Sequence, residues 1–204
     1  MGNKPARPAG GFRNKYRIES ARMQNWDYGS NASYYITICT GRRECYFGEM
    51  ENKTVKLSET GILADKFWSE IPDHFNYVKL DEYTPIAIGV PNHIHGIIII
   101  DNPNVETPKL GVFTTNTEKN NKWRSGVLGV IINQYKRICT IESRKINPDF
   151  AWQSRFYDHI IRDEKSLDNI RRYIKDNPEN WTEDEFNSEN KKNNIMKENI
   201  PTSI

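Results

Sequence analysis

The sequence predicts an α+β protein in which helices pack on a mainly antiparallel sheet. Short segments rich in aromatic and β-branched residues alternate with longer segments of helical periodicity, in the order strand, helix, strands, helix, strand, helix. One of the short segments, residues 97–100, consists of four isoleucines and is therefore apolar on both faces. A strand of this kind belongs at the centre of a sheet, where both faces are covered.

Composition and charge divide the chain into three parts. The 204 residues suit one domain with a substantial core, and the formal net charge of +2 does not by itself require a polyanionic partner. Residues 1–25 are rich in Gly, Pro and Arg and predict a basic, flexible arm. Residues 26–182 contain the segments with strand and helix periodicity, and this periodicity predicts that they form the folded domain. Residues 183–204 are polar and mostly acidic, which predicts a disordered tail.

Cysteine usage and hydropathy predict a cytoplasmic protein. The three cysteines form neither a CxxC pair nor an even framework, which favours a reduced compartment. The N-terminus lacks the apolar core of a signal peptide, and no apolar run approaches the roughly 20 residues that a membrane helix needs. We therefore expect no membrane partner.

The first half of the domain predicts a strand, a hairpin and a helix. Residues 34–40 are aromatic and β-branched, and residues 46–47 and 54–57 predict a hairpin that turns at 52–53. Ser58 predicts a helix N-terminus, and Pro72 predicts its end. The predicted apolar face of this helix carries Ile62, Leu63, Phe67, Trp68 and Ile71. Residues 77–80 and 84–90 predict extended segments that lead to the strand at 91–100.

The second half predicts a loop, two helices and a strand between them. Residues 101–121 are rich in Asn, Thr and Pro, which is typical of a surface loop. A helix over residues 125–145 carries Leu128, Ile131, Ile132, Tyr135, Ile138 and Cys139 at helical spacing, and its polar side is basic. Residues 152–162 predict a strand. Asp163 predicts the N-cap of a last helix that ends at Pro178.

Two histidines stand where the chain enters the predicted central strand. Because side chains alternate along a strand, His93 and His95 point to the same face. Two imidazoles on one face can share a divalent cation such as Mn or Zn, or Mg when a substrate supplies phosphate oxygens. The alternative is that the pair forms a polar start to a buried strand and binds nothing.

The last helix offers a further donor. Tyr173 and Asn177 are four residues apart and therefore lie on one helix face. The amide oxygen of Asn177 could complete a metal site, and the Tyr173 phenol could reach a phosphate held there. The alternative is that Tyr173 packs beside neighbouring isoleucines and that Asn177 ends the helix ahead of Pro178.

Four strings in order along the chain carry a resemblance to a known family. They are Tyr34-Tyr35-Ile36-Thr37, Pro91-Asn92-His93-Ile94-His95-Gly96, Trp152-Gln153-x-x-Phe156-Tyr157-Asp158-His159 and Tyr173-Ile174-x-x-Asn177-Pro178. Together they resemble the REP-associated tyrosine transposases, which are single-tyrosine HUH transposases of bacterial insertion sequences. The resemblance covers about residues 26–181. Val90 departs from the Met that often precedes Pro-Asn-His in the family, and Asn177 stands where many relatives carry Gln.

This resemblance implies a fold, a reaction and a set of site residues. The fold would be the ferredoxin-like or RRM-like sheet of HUH nucleases, so that residues 26–182 form an HUH transposase-like catalytic domain. The activity would be a DNA strand transferase that cleaves and rejoins single-stranded, hairpin-containing DNA through a covalent 5′-phosphotyrosine. Tyr173 would be the nucleophile. His93, His95 and Asn177 would hold Mg or Mn.

The expected partner is single-stranded DNA with hairpins. Relatives in this broad class include dimers that exchange the tyrosine helix, so the resemblance leaves a homodimer open as an alternative to a monomer. Four basic residues flank the predicted site and are candidates for DNA phosphate contacts, namely Lys136, Arg137, Arg171 and Arg172. Each of them could equally belong to a solvated helix face.

Two other functions remain open from the residues themselves. A metal-dependent phosphoesterase would use the histidine pair with water and would form no adduct with the protein. A domesticated, non-catalytic protein would bind hairpin DNA without cleaving it. All four candidate site residues, His93, His95, Tyr173 and Asn177, are present in the sequence.

Overall fold

The computed structural model describes residues 30–83, 89–103, 127–184 and 187. The predicted arm, the segment 84–88, most of the loop at 101–121 and most of the tail at 183–204 lie outside these residues. The described elements in chain order are β1 (Ala32–Cys39), a 3-10 helix (Gly41–Arg43), β2 (Gly48–Glu51), β3 (Thr54–Leu57), α1 (Glu59–Ser69), α2 (Ile71–His74), β4 (Val78–Leu80), β5 (His93–Ile100), α3 (Val127–Ile146), β6 (Tyr157–Ile161), α4 (Glu164–Asp176) and a 3-10 helix (Trp181–Glu183).

Four of the strands form one antiparallel sheet in the spatial order β4-β5-β1-β6. Setting aside the β2–β3 hairpin and the short helices, the chain order around this sheet is β1, α1, β4, β5, α3, β6. Both crossovers therefore skip one strand, which is the split βαβ arrangement of ferredoxin-like folds. The predicted α+β class with a mainly antiparallel sheet is confirmed, and the isoleucine-rich β5 lies inside the sheet as predicted.

The two faces of the sheet are covered by different helices. One face presents Tyr34, Ile36 and Ile38 of β1 to the main core, to which α1 and α3 contribute. The opposite face packs Tyr35 and Ile97 against Ile174 of α4. This division matters for the site, because side chains at odd positions of both central strands are turned toward α4.

Glycine is required where α1 crosses β5. A Cβ on Gly96 would overlap the indole ring of Trp68, which is fully buried beside it. The absence of a side chain at this position lets the Trp68 ring lie directly against the strand. Gly96 also shares a face with Ile94, away from the two histidines, as strand alternation predicts.

The hairpin β2–β3 pairs separately from the main sheet, and its turn lies where the sequence predicts it. Asn52 and Lys53 form the two-residue turn, and both have a positive φ, of 51° and 65°. Two consecutive residues in this region are characteristic of a type I′ turn, whose twist matches that of the flanking strands.

The predicted apolar face of α1 is partly wrong. Ile62 is 56% exposed, whereas the buried positions are Thr60, Gly61, Ala64 and Trp68. Two of these buried residues, Gly61 and Ala64, are small, and the helix lies so close to the segment before β2 that a Cβ on Gly61 would overlap the Phe47 carbonyl. α1 ends at Ser69, and the chain continues through Glu70 into the short helix α2 (Ile71–His74), whose first turn accommodates Pro72.

Helices α3 and α4 agree with their predicted extents. Five of the six predicted apolar positions of α3 are buried, whereas Ile138 is 36% exposed and lies beside the inward-facing Cys139. The N-cap of α4 is Asp163, whose side chain accepts a hydrogen bond from the Ser166 amide as expected. No helix within the described ranges has the length and apolar character needed to cross a bilayer.

Candidate functional site

The two histidines are buried at the start of β5 and face each other. His93 is 0% exposed and His95 is 3% exposed. Their Nε2 atoms are 2.9 Å apart, so the two ring edges converge on one point. The strand is anchored there by main-chain bonds from Thr40 to the Asn92 carbonyl and from Phe47 to the Pro91 carbonyl. The same-face prediction for His93 and His95 is confirmed.

Asn92 sets the tautomer of His93. Its Nδ2 donates to the carbonyl of Arg43 over 3.1 Å, which turns its Oδ1 toward the ring. That Oδ1 is 2.8 Å from His93 Nδ1. Because a carbonyl oxygen only accepts, Nδ1 carries the proton and donates it to Asn92. The Nε2 of His93 is therefore left with a lone pair that faces His95.

Two hydroxyl groups of β1 hold the other ring. The Tyr35 hydroxyl lies 2.8 Å from His95 Nδ1, and Thr37 Oγ1 lies 3.0 Å from the same atom. Thr37 Oγ1 also donates to the Tyr35 hydroxyl over 3.1 Å. A hydroxyl can donate or accept, so this pair accommodates either tautomer of His95. With the proton on Nδ1, both Nε2 lone pairs would point at the same place.

Burial keeps both imidazoles neutral. It lowers the pKa of His93 to about 3, and the charge of Arg43 acts in the same direction, whereas the amide of Asn177 opposes it weakly. Burial also lowers the pKa of His95 well below its usual value, with His93 adding to the effect and Asp184 opposing it. Neutral imidazole is the form that binds a metal ion.

Tyr173 reaches the site from α4. Its ring centroid lies 5.2 Å from that of His95 and 6.3 Å from that of Tyr35, edge-on to Tyr35. The side chain is 46% exposed, so the ring touches the histidine and is also accessible to solvent. Burial raises the pKa of Tyr35, and interaction with Tyr173 adds to that rise. The structure therefore brings Tyr173 together with the histidine pair.

Asn177 lies at the C-cap of α4 and is buried, with 4% of its surface exposed. Its Nδ2 donates to Asp184 Oδ2 over 2.9 Å. Its Oδ1 is buried and has no hydrogen-bond partner. A buried carbonyl oxygen that accepts nothing is unusual and calls for an explanation such as a bound ion or water.

These donors fit a divalent cation. Two neutral imidazole nitrogens converge, and the orphan oxygen of Asn177 belongs to a residue close enough to His93 to influence its pKa. Nitrogen and oxygen donors of this kind suit Mn, and they suit Mg when a phosphate adds further oxygens. Across the described parts of the chain, no three residues drawn from His, Cys, Asp and Glu are placed to hold a metal ion. The third donor would therefore be the amide.

A cavity of about 870 Å³ opens next to Tyr173, between α4 and the sheet. Its inner end meets the site at Tyr35, Thr37 and His95. The outer walls come from β6 and from the first turns of α4, and they carry Tyr157, His159, Asp163, Lys165, Ser166, Asn169 and Ile170. An extended ligand could therefore run along α4 and present one group to Tyr173.

Of the four basic residues predicted to contact DNA, two are exposed to solvent and two form bonds within the protein. Arg137 and Arg172 are exposed. Lys136 donates from Nζ to the carbonyls of Gln153 and Arg155 over 2.7 and 2.9 Å, and burial lowers its pKa to about 8.

Arg171 forms a forked ion pair with Asp81. Its Nε lies 3.1 Å from Asp81 Oδ1, and its guanidinium lies 4.3 Å from the Tyr83 ring centre. A role in DNA binding stays a prediction for all four basic residues. For Lys136 and Arg171 the structure also provides an intramolecular role.

Four residues of the site were not assigned a role from the sequence. Asn92, Tyr35 and Thr37 lie within the strings that carry the family resemblance, but spacing alone does not reveal what they contact. Asp184 falls in the segment predicted to be a disordered tail. In the structure Asp184 follows directly after the 3-10 helix Trp181–Glu183 and contacts Asn177.

Comparison with known proteins finds a relative by sequence and a similar solved structure. No protein-family model matches the chain. An uncharacterized protein of Haemophilus influenzae is 36% identical over 168 residues, which span 82% of this chain and 91% of the relative. Among solved structures, the chain is similar to a REP-associated tyrosine transposase bound to a REP hairpin, with 16% identity and a TM-score of 0.45. That match covers 79% of this chain and 73% of the other.

The Haemophilus influenzae relative aligns with 82% of this chain at an identity that indicates common descent. Since the alignment spans 168 residues, it is too long to arise from one shared motif. The chain therefore belongs to the same protein family as this Haemophilus influenzae protein.

Proposed function

We propose that the protein is a DNA strand transferase of the single-tyrosine transposase type, which cleaves and rejoins single-stranded, hairpin-containing DNA. The observation that carries the proposal is the convergence of two buried, neutral imidazoles with a half-exposed tyrosine. His95 contacts both of the other residues: its Nε2 is 2.9 Å from His93 Nε2, and its ring centroid is 5.2 Å from that of Tyr173. A cation site beside an accessible phenol is suited to nucleophilic attack on a phosphodiester.

Different residues would bind the cation, orient the histidines, supply the nucleophile and contact the DNA. His93, His95 and Asn177 would hold Mg or Mn, which supplies Lewis-acid polarisation of the scissile phosphate when bound. Asn92 keeps the His93 Nε2 lone pair turned toward the site, and Tyr35 with Thr37 holds the His95 ring. α4 presents the Tyr173 phenol at the edge of the cavity. The exposed Arg172 would contact the DNA backbone.

The proposed step balances without a co-reactant. The Tyr173 oxygen forms a bond to phosphorus while the bond from phosphorus to the 3′ oxygen breaks. The phenol loses one proton and the departing 3′ oxygen gains one. The product is a 5′-phosphotyrosine and a free 3′-hydroxyl, and attack by a 3′-hydroxyl on the phosphotyrosine reverses the step. The phosphodiester energy is retained, so joining needs no nucleotide cofactor.

The substrate strand would lie in the cavity along α4. Tyr157 is 51% exposed and offers a face on which an unpaired base can stack. Lys165 near the start of α4 offers a charge for a backbone phosphate. A strand placed there would pass Tyr173 before leaving the cavity. This placement favours unpaired DNA, because a base can stack on an exposed tyrosine ring only where it is not paired within a duplex.

The test is a covalent-adduct assay with a pool of hairpin oligonucleotides that carry randomised single-stranded flanks. A 3′-end label should migrate with the denatured protein in the presence of Mn²⁺, while a 5′-end label should appear in a shortened free strand. Tyr173→Phe should abolish the adduct. Tyr77→Phe is the matched control, because Tyr77 packs against the main core on the other side of the sheet.

The same gel separates the other candidate functions. A shortened strand without an adduct, retained in Tyr173→Phe, would indicate a phosphoesterase that uses water. Binding of hairpin DNA with no cleavage under any divalent metal, unchanged by His93→Ala, would indicate a non-catalytic binding protein. An adduct that persists in Tyr173→Phe would refute the assignment of the nucleophile.

A further inference from the structure

The chain after α4 turns back onto the candidate site. Trp181, at the start of the 3-10 helix Trp181–Glu183, is only 9% exposed, and its ring centroid lies 6.1 Å from that of His93. Asn187 is also buried and donates from Nδ2 to the Trp181 carbonyl over 3.0 Å. These contacts hold the segment in place and put the Asp184 carboxylate next to the end of α4.

The hydrogen bond from Asn177 to Asp184 determines which way the Asn177 amide points. A carboxylate can only accept, so the group that Asn177 turns toward Asp184 Oδ2 at 2.9 Å must be the amide nitrogen. The amide oxygen is consequently turned the other way, where it is buried without a hydrogen-bond partner. Rotating the amide by half a turn would present N–H groups to the site, and N–H groups cannot bind a cation.

We propose that Asp184 is a positioning residue that orients the Asn177 amide, so that its oxygen is offered to the divalent cation between His93 and His95. The inference rests on the proposed function, because it requires that cation site. Asp184 would act through Asn177 rather than as a ligand. In agreement with this, Asp184 and the two histidines do not form a three-residue metal-binding group among the described residues.

A purely structural role is the competing explanation. The same hydrogen bond could serve only to fasten the 3-10 helix to α4. The two explanations differ in the quantity that Asp184 affects, because an orienting role contributes to cation affinity, whereas a fastening role contributes to the stability of the metal-free fold. If orientation of the amide matters, then the contribution of Asp184 should depend on position 177 having one oxygen and one nitrogen. It should disappear when both atoms at position 177 are oxygens.

The experiment measures Mn²⁺ affinity of the full chain by calorimetry, without DNA. Asp184→Ala should weaken binding by about 10- to 100-fold, the range typical of residues that orient metal ligands. Asp184→Asn keeps an oxygen acceptor for Asn177 and should bind more like the wild type than like the alanine variant. Glu183→Ala is the matched control, because it removes an exposed carboxylate from the adjacent position.

A double-mutant cycle supplies the decisive comparison. In the Asn177→Asp background, adding Asp184→Ala should no longer weaken Mn²⁺ binding, since an aspartate presents an oxygen in either orientation. Because an aspartate at position 177 also cannot donate to Asp184, the unfolding free energy of the metal-free protein is measured in the same cycle. A merely structural role would lower that unfolding free energy in Asp184→Ala while leaving the Mn²⁺ affinity of the folded protein unchanged. Circular dichroism establishes that each variant is folded, and Asp184→Leu replaces the alanine variant in the cycle if the latter does not fold.

The results of this experiment can be distinguished from the results that test the proposed function. Equal Mn²⁺ affinity of the wild type and Asp184→Ala would overturn the inference while leaving the cation site and the adduct assay intact. Equal loss on both backgrounds, or a loss in Asp184→Asn as large as in Asp184→Ala, would overturn it as well. A wild-type chain that binds no Mn²⁺ would overturn both this inference and the metal-dependent part of the proposed function.

Discussion

At the scale of single residues, the chemistry of each imidazole depends on what its second ring nitrogen contacts. His93 has a buried amide oxygen as its partner, which settles the proton on Nδ1. His95 has two hydroxyls, which accept or donate as required. The same-face position of the two histidines follows from strand alternation. Their tautomers do not, because Asn92 is oriented by the carbonyl of Arg43, which is distant in sequence.

Asn92→Ala should weaken both the fold and the cation site. The substitution leaves the buried His93 Nδ1–H and the Arg43 carbonyl without their partner, which should cost about 1–3 kcal/mol of unfolding free energy. Loss of the fixed tautomer should also lower Mn²⁺ affinity by about 10- to 100-fold. Urea unfolding and calorimetry measure the two effects.

The matched control for that variant is Asn180→Ala. The Asn180 side chain is exposed and donates to the Asp176 carbonyl at the end of α4. It should change neither quantity appreciably. Wild-type Mn²⁺ affinity in Asn92→Ala would show that the Asn92 amide does not prepare His93 for a cation.

At the scale of elements, local signals located most of the strands and helices. The β2–β3 turn, the N-caps of α1 and α4 and the alternation in β5 all agree with prediction, because each depends on neighbouring residues only. The position of Ile62 does not agree with prediction, because this residue of α1 is exposed to solvent. A helix buries whichever stripe allows the closest approach, and Gly61 and Ala64 allow α1 to approach more closely than a stripe of large side chains would.

Ser58→Ala tests the cap of α1. The Ser58 side chain accepts from the Gly61 amide over 3.1 Å and donates to the Tyr46 carbonyl over 2.6 Å. Its removal leaves a helix N–H group without a partner and should lower the unfolding free energy by about 1 kcal/mol. Chemical denaturation followed by circular dichroism gives the value.

Ser69→Ala is the corresponding control at the other end of the same helix. The Ser69 hydroxyl is exposed and donates to the Lys66 carbonyl, so water can replace it. Its effect should be within about 0.5 kcal/mol, as for most surface substitutions. Equal effects of the two serine variants would mean that Ser58 does not cap α1.

At the scale of the whole molecule, α4 is attached to the sheet side by an apolar contact and an ion pair that lie one turn apart in its C-terminal half. Ile174 packs on Tyr35 and Ile97, and Arg171 pairs with the buried Asp81 that follows β4. The position of α4 is what places Tyr173 beside His95. The hydrogen-bonded ion pair with Asp81 raises the pKa of Arg171, a side chain that is already charged at neutral pH.

Arg171→Met should therefore mainly lower the stability of the fold. It leaves the Asp81 carboxylate, which is 3% exposed, without its charge partner, and we expect a loss of about 2–3 kcal/mol of unfolding free energy. Thermal and urea unfolding measure this loss. Arg172→Met, an exposed neighbour on the same helix, should leave stability unchanged and instead weaken DNA binding in a salt-dependent way. Comparable stability of the two variants would mean that the ion pair does not hold α4 in place.

Periodic patterns in the amino-acid order are enough to predict the faces on which the site residues lie. Alternation along β5 puts His93 and His95 on one face, and helical spacing puts Tyr173 and Asn177 on one face of α4. That these two faces meet follows from the packing of α4 on the sheet and not from periodicity, since either face of the sheet could have received the last helix. The orientation of Asn177 also follows from packing, because its partner Asp184 arrives through the fold of the following segment. Periodic patterns specify the direction of a side chain, whereas its partners depend on packing between elements distant in sequence.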